Sequence, residues 1–135
     1  MPTNPRIAAF DTVPHNRWLS LRLVDCSEAG AEVALGVRPD LLQEEGVIHG
    51  GTLASVADTA AVYAFWPFLA DGTRMTSIEF KVNFLKPALA DRGDITARSR
   101  VVQRGRKLGV CQVDVMQAGV LIAIGTYTYI FFAEG

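Results

Sequence analysis

The sequence predicts an α+β fold: one long helix covered by a curved, mostly antiparallel sheet of about six strands. Three observations carry this. The stretch "GVIHGGTLASVADTAAVYAFW", Gly46 to Trp66, holds a helix that is apolar on nearly every side. Such a helix must be buried around most of its circumference, which a curled sheet achieves. Before and after it the chain alternates apolar and polar residues with a period of two, the mark of half-buried strands. The strands are joined by short polar tips, as in hairpins.

In chain order, "MPTNPRIAAFDTVPHN" is turn-rich and has no continuous apolar run, so no signal peptide is expected. "WLSLRLVDCS" alternates Leu19, Leu21 and Leu23 with polar neighbours and reads as a strand. Beyond Glu28-Ala29-Gly30, "GAEVALGVR" completes a hairpin with it. "PDLLQEEGVIHGG" is a loop with one helical turn over Asp40 to Glu44. The helix runs from about Gly51 to Trp66 and stops because Pro67 cannot continue it. "RMTSIEFKVNFLKP" places Ile78, Phe80, Val82 and Phe84 on one strand face. "DITARSRVVQ" and "LGVCQVDVMQ" flank the tip "RGRK", and "VLIAIGTYTYIFF" forms the last strand. No repeat or linker interrupts the chain, so residues 1–135 are expected to form one domain.

Composition narrows the function. A net charge of −1 and a pI near 6.1 provide no basic footprint for nucleic acid. Cys26 and Cys111 match no metal spacing and read as free thiols of a reducing compartment. The apolar run "GVLIAIGTYTYIFFA" is shorter than the roughly 20 residues of a membrane helix, so a cytoplasmic protein without membrane attachment is expected. Counting the 12 glycines as apolar and leaving out the three tyrosines brings the apolar share to roughly 57%, against about 45–50% for typical domains. That excess predicts association with further copies of the chain.

One ionisable residue, Asp58, interrupts the apolar helix. At 100° per residue Gly51, Ser55, Val62 and Phe65 share its face. The helix starts at His49-Gly50-Gly51, where free N–H groups and the helix dipole favour negative charge on a carbonyl oxygen. Taken singly, each residue has a structural use: a carboxylate held by a buried hydroxyl or arginine, a capping histidine, a tight Gly-Gly turn. Their combination at this spacing points to chemistry. Seven or eight residues separate the glycines from Asp58, about 10–12 Å of helix, too far for both to act on one small group. Two antiparallel helices of a twofold dimer bring each Asp58 beside the other's glycines, so the site is expected to be shared between subunits.

"HGGTLASVADTA" resembles the His-Gly-Gly…Asp signature of hotdog-fold acyl-CoA thioesterases, especially the phenylacetate-pathway (PaaI-type) group. The resemblance extends through "SIEFKVNFLKPA", "GDITARSRVV" and "RGRKLGVCQVDV" to the final strand. It spans roughly residues 18–133 and leaves residues 1–17 outside. It implies that Asp58 acts as general base or nucleophile and that the Gly50 N–H polarises the thioester carbonyl, where the helical wheel alone favours Gly51. It implies that Gln43 lies beside the thioester or the attacking water and that His49 orients the loop. It also implies that Ser77 holds that water, or Thr76 if the loop slips by one residue, since Val62 has no hydroxyl to offer. The tip cations Arg104, Arg106 and Lys107 are either a solvated hairpin end or contacts for coenzyme A phosphates. Trp18, Phe65, Trp66 and Phe68 line an acyl pocket or belong to the core.

The resemblance implies no metal and no cofactor, coenzyme A being part of the substrate. Its acyl-CoA substrate would carry an aryl or medium-chain acyl group, and desolvation would lift the Asp58 pKa above the usual value of about 3.9. The implied assembly is a dimer or a dimer-of-dimers tetramer. Two rival readings accompany it: a hotdog enoyl-CoA hydratase or dehydratase, and a non-catalytic acyl-CoA-binding module.

Overall fold

Residues 4–18 depart from the turn-rich start expected of them. In the computed structural model, which describes residues 4–133, they form two short helices, α1 (Pro5–Ala8) and α2 (Pro14–Trp18), joined by a 3₁₀ turn at Phe10–Thr12. Each helix opens on a proline, whose fixed φ suits a first turn and whose missing N–H is no loss there. Helices this short do not persist alone. They are anchored instead: the Asn4 amide donates to the Leu69 carbonyl at 3.1 Å, Asn16 to the Phe10 carbonyl at 3.1 Å, and Phe10 is buried. Leu19 and Leu21 therefore lie outside any strand. Their N–H groups close the end of α2 on the His15 and Asn16 carbonyls, so their alternation reflects a tightening helix end. The first strand, β1, runs Arg22–Ser27.

β1 turns into β2 (Gly30–Leu35) at the expected hairpin. Two 3₁₀ turns, Pro39–Leu41 and Glu44–Gly46, stand where one turn was expected. The long helix α3 spans Gly50–Phe65, and Pro67 turns its exit into a 3₁₀ turn, Trp66–Phe68. Four strands follow: β3 (Thr73–Phe84), β4 (Ile95–Arg104), β5 (Leu108–Gln117) and β6 (Val120–Ala133). Every neighbouring pair is antiparallel, in the order β1-β2-β4-β5-β6-β3. The α+β expectation of one long helix and six strands therefore holds.

α3 lies chiefly against β2, β4 and β5. Ala57, Ala60, Ala61 and Ala64 are buried there and let the helix approach the sheet closely. Sheet hydroxyls reach into its backbone: Ser99 donates to the Ala60 carbonyl at 2.6 Å and Tyr127 to the Ala54 carbonyl at 2.8 Å. These bonds fix the rotation of α3, and with it the direction of Asp58. At the helix end Phe65 is fully buried and meets Tyr129 and Phe131 edge-on at 5.5 and 5.3 Å. Gly109 makes room for it, because a Cβ there would stand 2.5 Å from the Phe65 ring. Burying one such ring contributes about 1.5–3 kcal/mol.

β3 is an edge strand 12 residues long, and among the described residues no strand pairs with its outer side. Its apolar side chains Ile78, Phe80 and Phe84 stay 54%, 52% and 54% exposed. A bulge breaks its register between Ser77 and Glu79. Before the bulge Met75 and Ser77 lie opposite Phe131 and Tyr129; after it Phe80, Val82 and Phe84 lie opposite Tyr127, Gly125 and Ala123. Directly opposed residues share a sheet face. The continuous apolar face expected from Ile78 to Phe84 is thus shorter: Ile78 sits in the bulge, and Ser77 joins the helix-facing side. Among the described residues no helix is long and apolar enough to cross a membrane.

Candidate active site

Asp58 is half-buried in the wall of a cleft of about 410 Å³, within the range of about 300–1,000 Å³ usual for small-molecule sites. One side is α3 with its exit turn: Asp58, Val62 and Trp66, with Thr59 and Tyr63 beside them. The other comes from the N-terminal segment, including Ala9, Val13 and His15. Tyr129 donates its hydroxyl to Asp58 Oδ1 and also reaches the Asp58 carbonyl at 3.1 Å. Among the described residues no Lys or Arg forms an ion pair with Asp58. Burial raises the Asp58 pKa above the ordinary carboxylate value, opposed first by the Tyr129 hydrogen bond and then by the nearby His15 ring. Burial, with the Asp58 charge beside it, raises the Tyr129 pKa as well, so Tyr129 stays a neutral donor.

At the other end of α3, His49 is the N-cap, and its Nδ1 accepts the Gly51 N–H at 2.9 Å. That bond occupies the amide which the helical wheel favours. The Gly50 N–H has no partner among the described residues. Gly50 also lies against Phe84, since a Cβ there would be 3.0 Å from the ring. Gln43 and Gly50 line one small recess together with Phe84. The preceding loop is pinned by Gln43 N–H to the Val47 carbonyl at 2.8 Å and His49 N–H to the Leu41 carbonyl at 2.9 Å. One chain therefore brings Gln43, His49 and Gly50 together and keeps Asp58 apart, eight residues or about 12 Å along the helix.

Ser77 is exposed on β3, opposite Tyr129 and on the same face, whereas Thr76 pairs with Ile130 on the other face. Arg104, Arg106 and Lys107 are exposed at the β4–β5 tip, and the Arg104 guanidinium lies 4.3 Å over the Phe68 ring. This puts the tip near the exit of α3, on the Asp58 side. Of the four aromatic residues named from sequence, only Trp66 borders the Asp58 cleft. Phe65 is core, Trp18 is 67% exposed, and Phe68 supports Arg104. No cluster of three His, Cys, Asp or Glu side chains suited to a metal occurs among the described residues.

Two contributors escaped the sequence reading. One is Tyr129; its signal was available in "TYTY", two tyrosines on the buried face of a strand, each needing a partner for its hydroxyl. The other is the N-terminal segment, which had no periodicity to mark it.

A family model described as the thioesterase superfamily matches residues 45–123. The chain is 29% identical to the medium/long-chain acyl-CoA thioesterase YigI of Salmonella typhimurium, over 87% of this chain and 84% of that protein. It is 30% identical to the acyl-coenzyme A thioesterase PaaI of Escherichia coli, over 73% of this chain and 67% of that one. A crystal structure of a thioesterase from Haemophilus influenzae superposes with a TM-score of 0.87 over 99% of this chain and 93% of its own; at 22% identity this concerns the fold alone.

Proposed function

The chain belongs to the thioesterase superfamily, and from that premise we propose that it hydrolyses the thioester of an aryl- or medium-chain acyl-CoA at a site shared by two subunits. Membership makes it a thioester hydrolase with a hotdog fold; the substrate, assembly and residue roles are our reading. The observation that carries the chemistry is Asp58: a half-buried carboxylate in a cleft wall, oriented by Tyr129. Its raised pKa favours a base, because proton transfer is most efficient when the pKa approaches the working pH.

In this mechanism the thioester carbonyl oxygen accepts the Gly50 N–H of one subunit, and the helix dipole stabilises the oxyanion. Asp58 of the other subunit takes a proton from water as the water oxygen bonds to the carbonyl carbon. The tetrahedral intermediate collapses, the C–S bond breaks, and the leaving thiolate takes the proton from Asp58. Ser77 and Gln43 hold the water and the thioester, a role supported for Ser77 by its register opposite Tyr129. The exposed apolar edge of β3 supports a dimer in which the two edges meet, which also covers Phe80 and Phe84. The deciding experiment is release of free thiol from a panel of aryl and alkyl acyl-CoAs. Stoichiometric binding without thiol release would overturn the reading.

Two further results are expected. Tyr129→Phe removes the hydrogen bond that favours the charged carboxylate, so the Asp58 pKa rises further. The acidic limb of the kcat profile moves to higher pH by about one unit, and kcat at neutral pH falls up to about tenfold. An unshifted limb would show that the bond does not tune the base. Reversing Arg104 and Arg106 to Glu should raise KM about tenfold with little change in kcat, if these exposed cations meet the coenzyme A phosphates. Saturation kinetics at low and high salt check this.

A further inference from the structure

The family match begins at residue 45, yet one wall of the Asp58 cleft consists of residues upstream of it. On α3 and its exit turn, Asp58, Val62 and Trp66 recur every four residues, a stripe leading from the carboxylate toward the helix exit. Its ends are eight residue steps apart, about 12 Å at 1.5 Å per residue. At its far end the Arg6 guanidinium lies 4.8 Å over the Trp66 ring. The facing wall carries Ala9 and Val13. Both side chains are free of other duties: Ala9 is a methyl group, and Val13 precedes α2 without a side-chain cap bond. The backbone that carries them is held to the body of the protein. Asn4 bonds to Leu69, Asn16 to Phe10, and the Phe10 ring meets Tyr63 edge-on at 4.8 Å.

We propose that the N-terminal segment is the second wall of the acyl pocket, and that Ala9 and Val13 set which acyl groups this enzyme accepts. This rests on the thioesterase reading for the placement of the thioester carbon beside Asp58. From there the acyl tail runs along Val62 toward Trp66, between the helix stripe and the Ala9–Val13 wall. The pocket takes an extended apolar tail, alkyl or arylalkyl, with its far end under Trp66 and Arg6. An acetyl group leaves most of it empty. Selectivity thus resides in a segment that the family match does not include, and size at two positions decides it.

The test compares wild type with Ala9→Phe and Val13→Trp, which fill the cleft from different elements. Ala8→Phe, on the exposed side of α1, is the control. Thiol release is measured with acetyl-, octanoyl- and phenylacetyl-CoA, and calorimetry compares the affinity for octanoyl-CoA with that for coenzyme A. Thermal unfolding verifies that each variant is folded. Filling the cleft should lower the ratio of kcat/KM for octanoyl- over acetyl-CoA by at least about tenfold, the scale on which apolar pockets discriminate. The two long substrates separate the tail chemistries: loss for both means a common pocket, loss for octanoyl alone an alkyl one. The control keeps the wild-type ratio. Unchanged ratios in both folded filling variants, with unchanged octanoyl-CoA affinity, overturn the proposal. If no acyl-CoA releases thiol but the filling variants lose the affinity contributed by the tail, the wall stands and the hydrolase reading falls.

Discussion

Asp58→Asn should lower kcat for acyl-CoA hydrolysis by about 10²–10⁴-fold, the usual contribution of a positioned base, while KM changes little. The amide oxygen of Asn still accepts the Tyr129 hydroxyl, so the local geometry survives and only the base is lost. Stability should move the other way. Burial raises the folded-state pKa of Asp58 above its unfolded value. A carboxyl shifted in this direction favours the folded state below its unfolded pKa of about 3.9, and that contribution is lost as pH rises through the folded value. At neutral pH the ionised side chain is therefore a net cost, which Asn removes. The variant should melt at a higher temperature than wild type at pH 7, and the difference should shrink toward pH 4. Wild-type turnover should decline on acidification at a pH above the ordinary carboxylate range, as the base takes up its proton. A variant with near-normal kcat would make Asp58 a structural residue.

Charging the β3 edge should produce a folded but nearly inactive monomer. Ile78 and Leu85 are half exposed, and Ile78 sits in the bulge, where it lacks a ladder partner. Ile78→Lys together with Leu85→Lys places like charges at the edges that would meet in a twofold pair, the device by which natural sheets keep their edges apart. The chain should then elute at monomer mass and unfold cooperatively. Turnover should fall on the order of a hundredfold, since removal of an oxyanion donor alone costs about 10²–10³. A monomer with full activity would mean that one chain holds a complete site, contrary to the distance along α3 between Gly50 and Asp58.

The parts of this fold that were legible in sequence are those dictated by period and punctuation. The apolar helix, its proline stop, the six strands and the "RGRK" tip lie where those signals put them. The His-Gly-Gly…Asp spacing led to a family that the relatives, a PaaI thioesterase among them, bear out. What was not legible depends on contacts between distant residues or on single-residue irregularities. α1 and α2 hold their shape through Asn4, Phe10 and Asn16 rather than through a repeating pattern, so Leu19 and Leu21 passed for part of a strand. Tyr129 meets Asp58 from 71 positions away. The Gly51 amide is occupied by a histidine side chain turning back onto it, a contact that no helical wheel displays.

The bulge in β3 has a consequence for how this protein is compared with its relatives. Because one unpaired residue reverses the strand's parity, the side to which a hydroxyl points depends on whether Ile78 bulges or pairs. Were Ile78 to pair opposite Tyr129 instead of bulging, alternation would be strict, and pairing continued from the Phe80 side would turn Ser77 outward and bring Thr76 inward in its place. An alignment without a gap to a relative whose strand lacks this bulge therefore hides a swap between the protein's inside and outside. Serine and threonine in neighbouring columns can then be the same functional group, and a serine in the same column need not be.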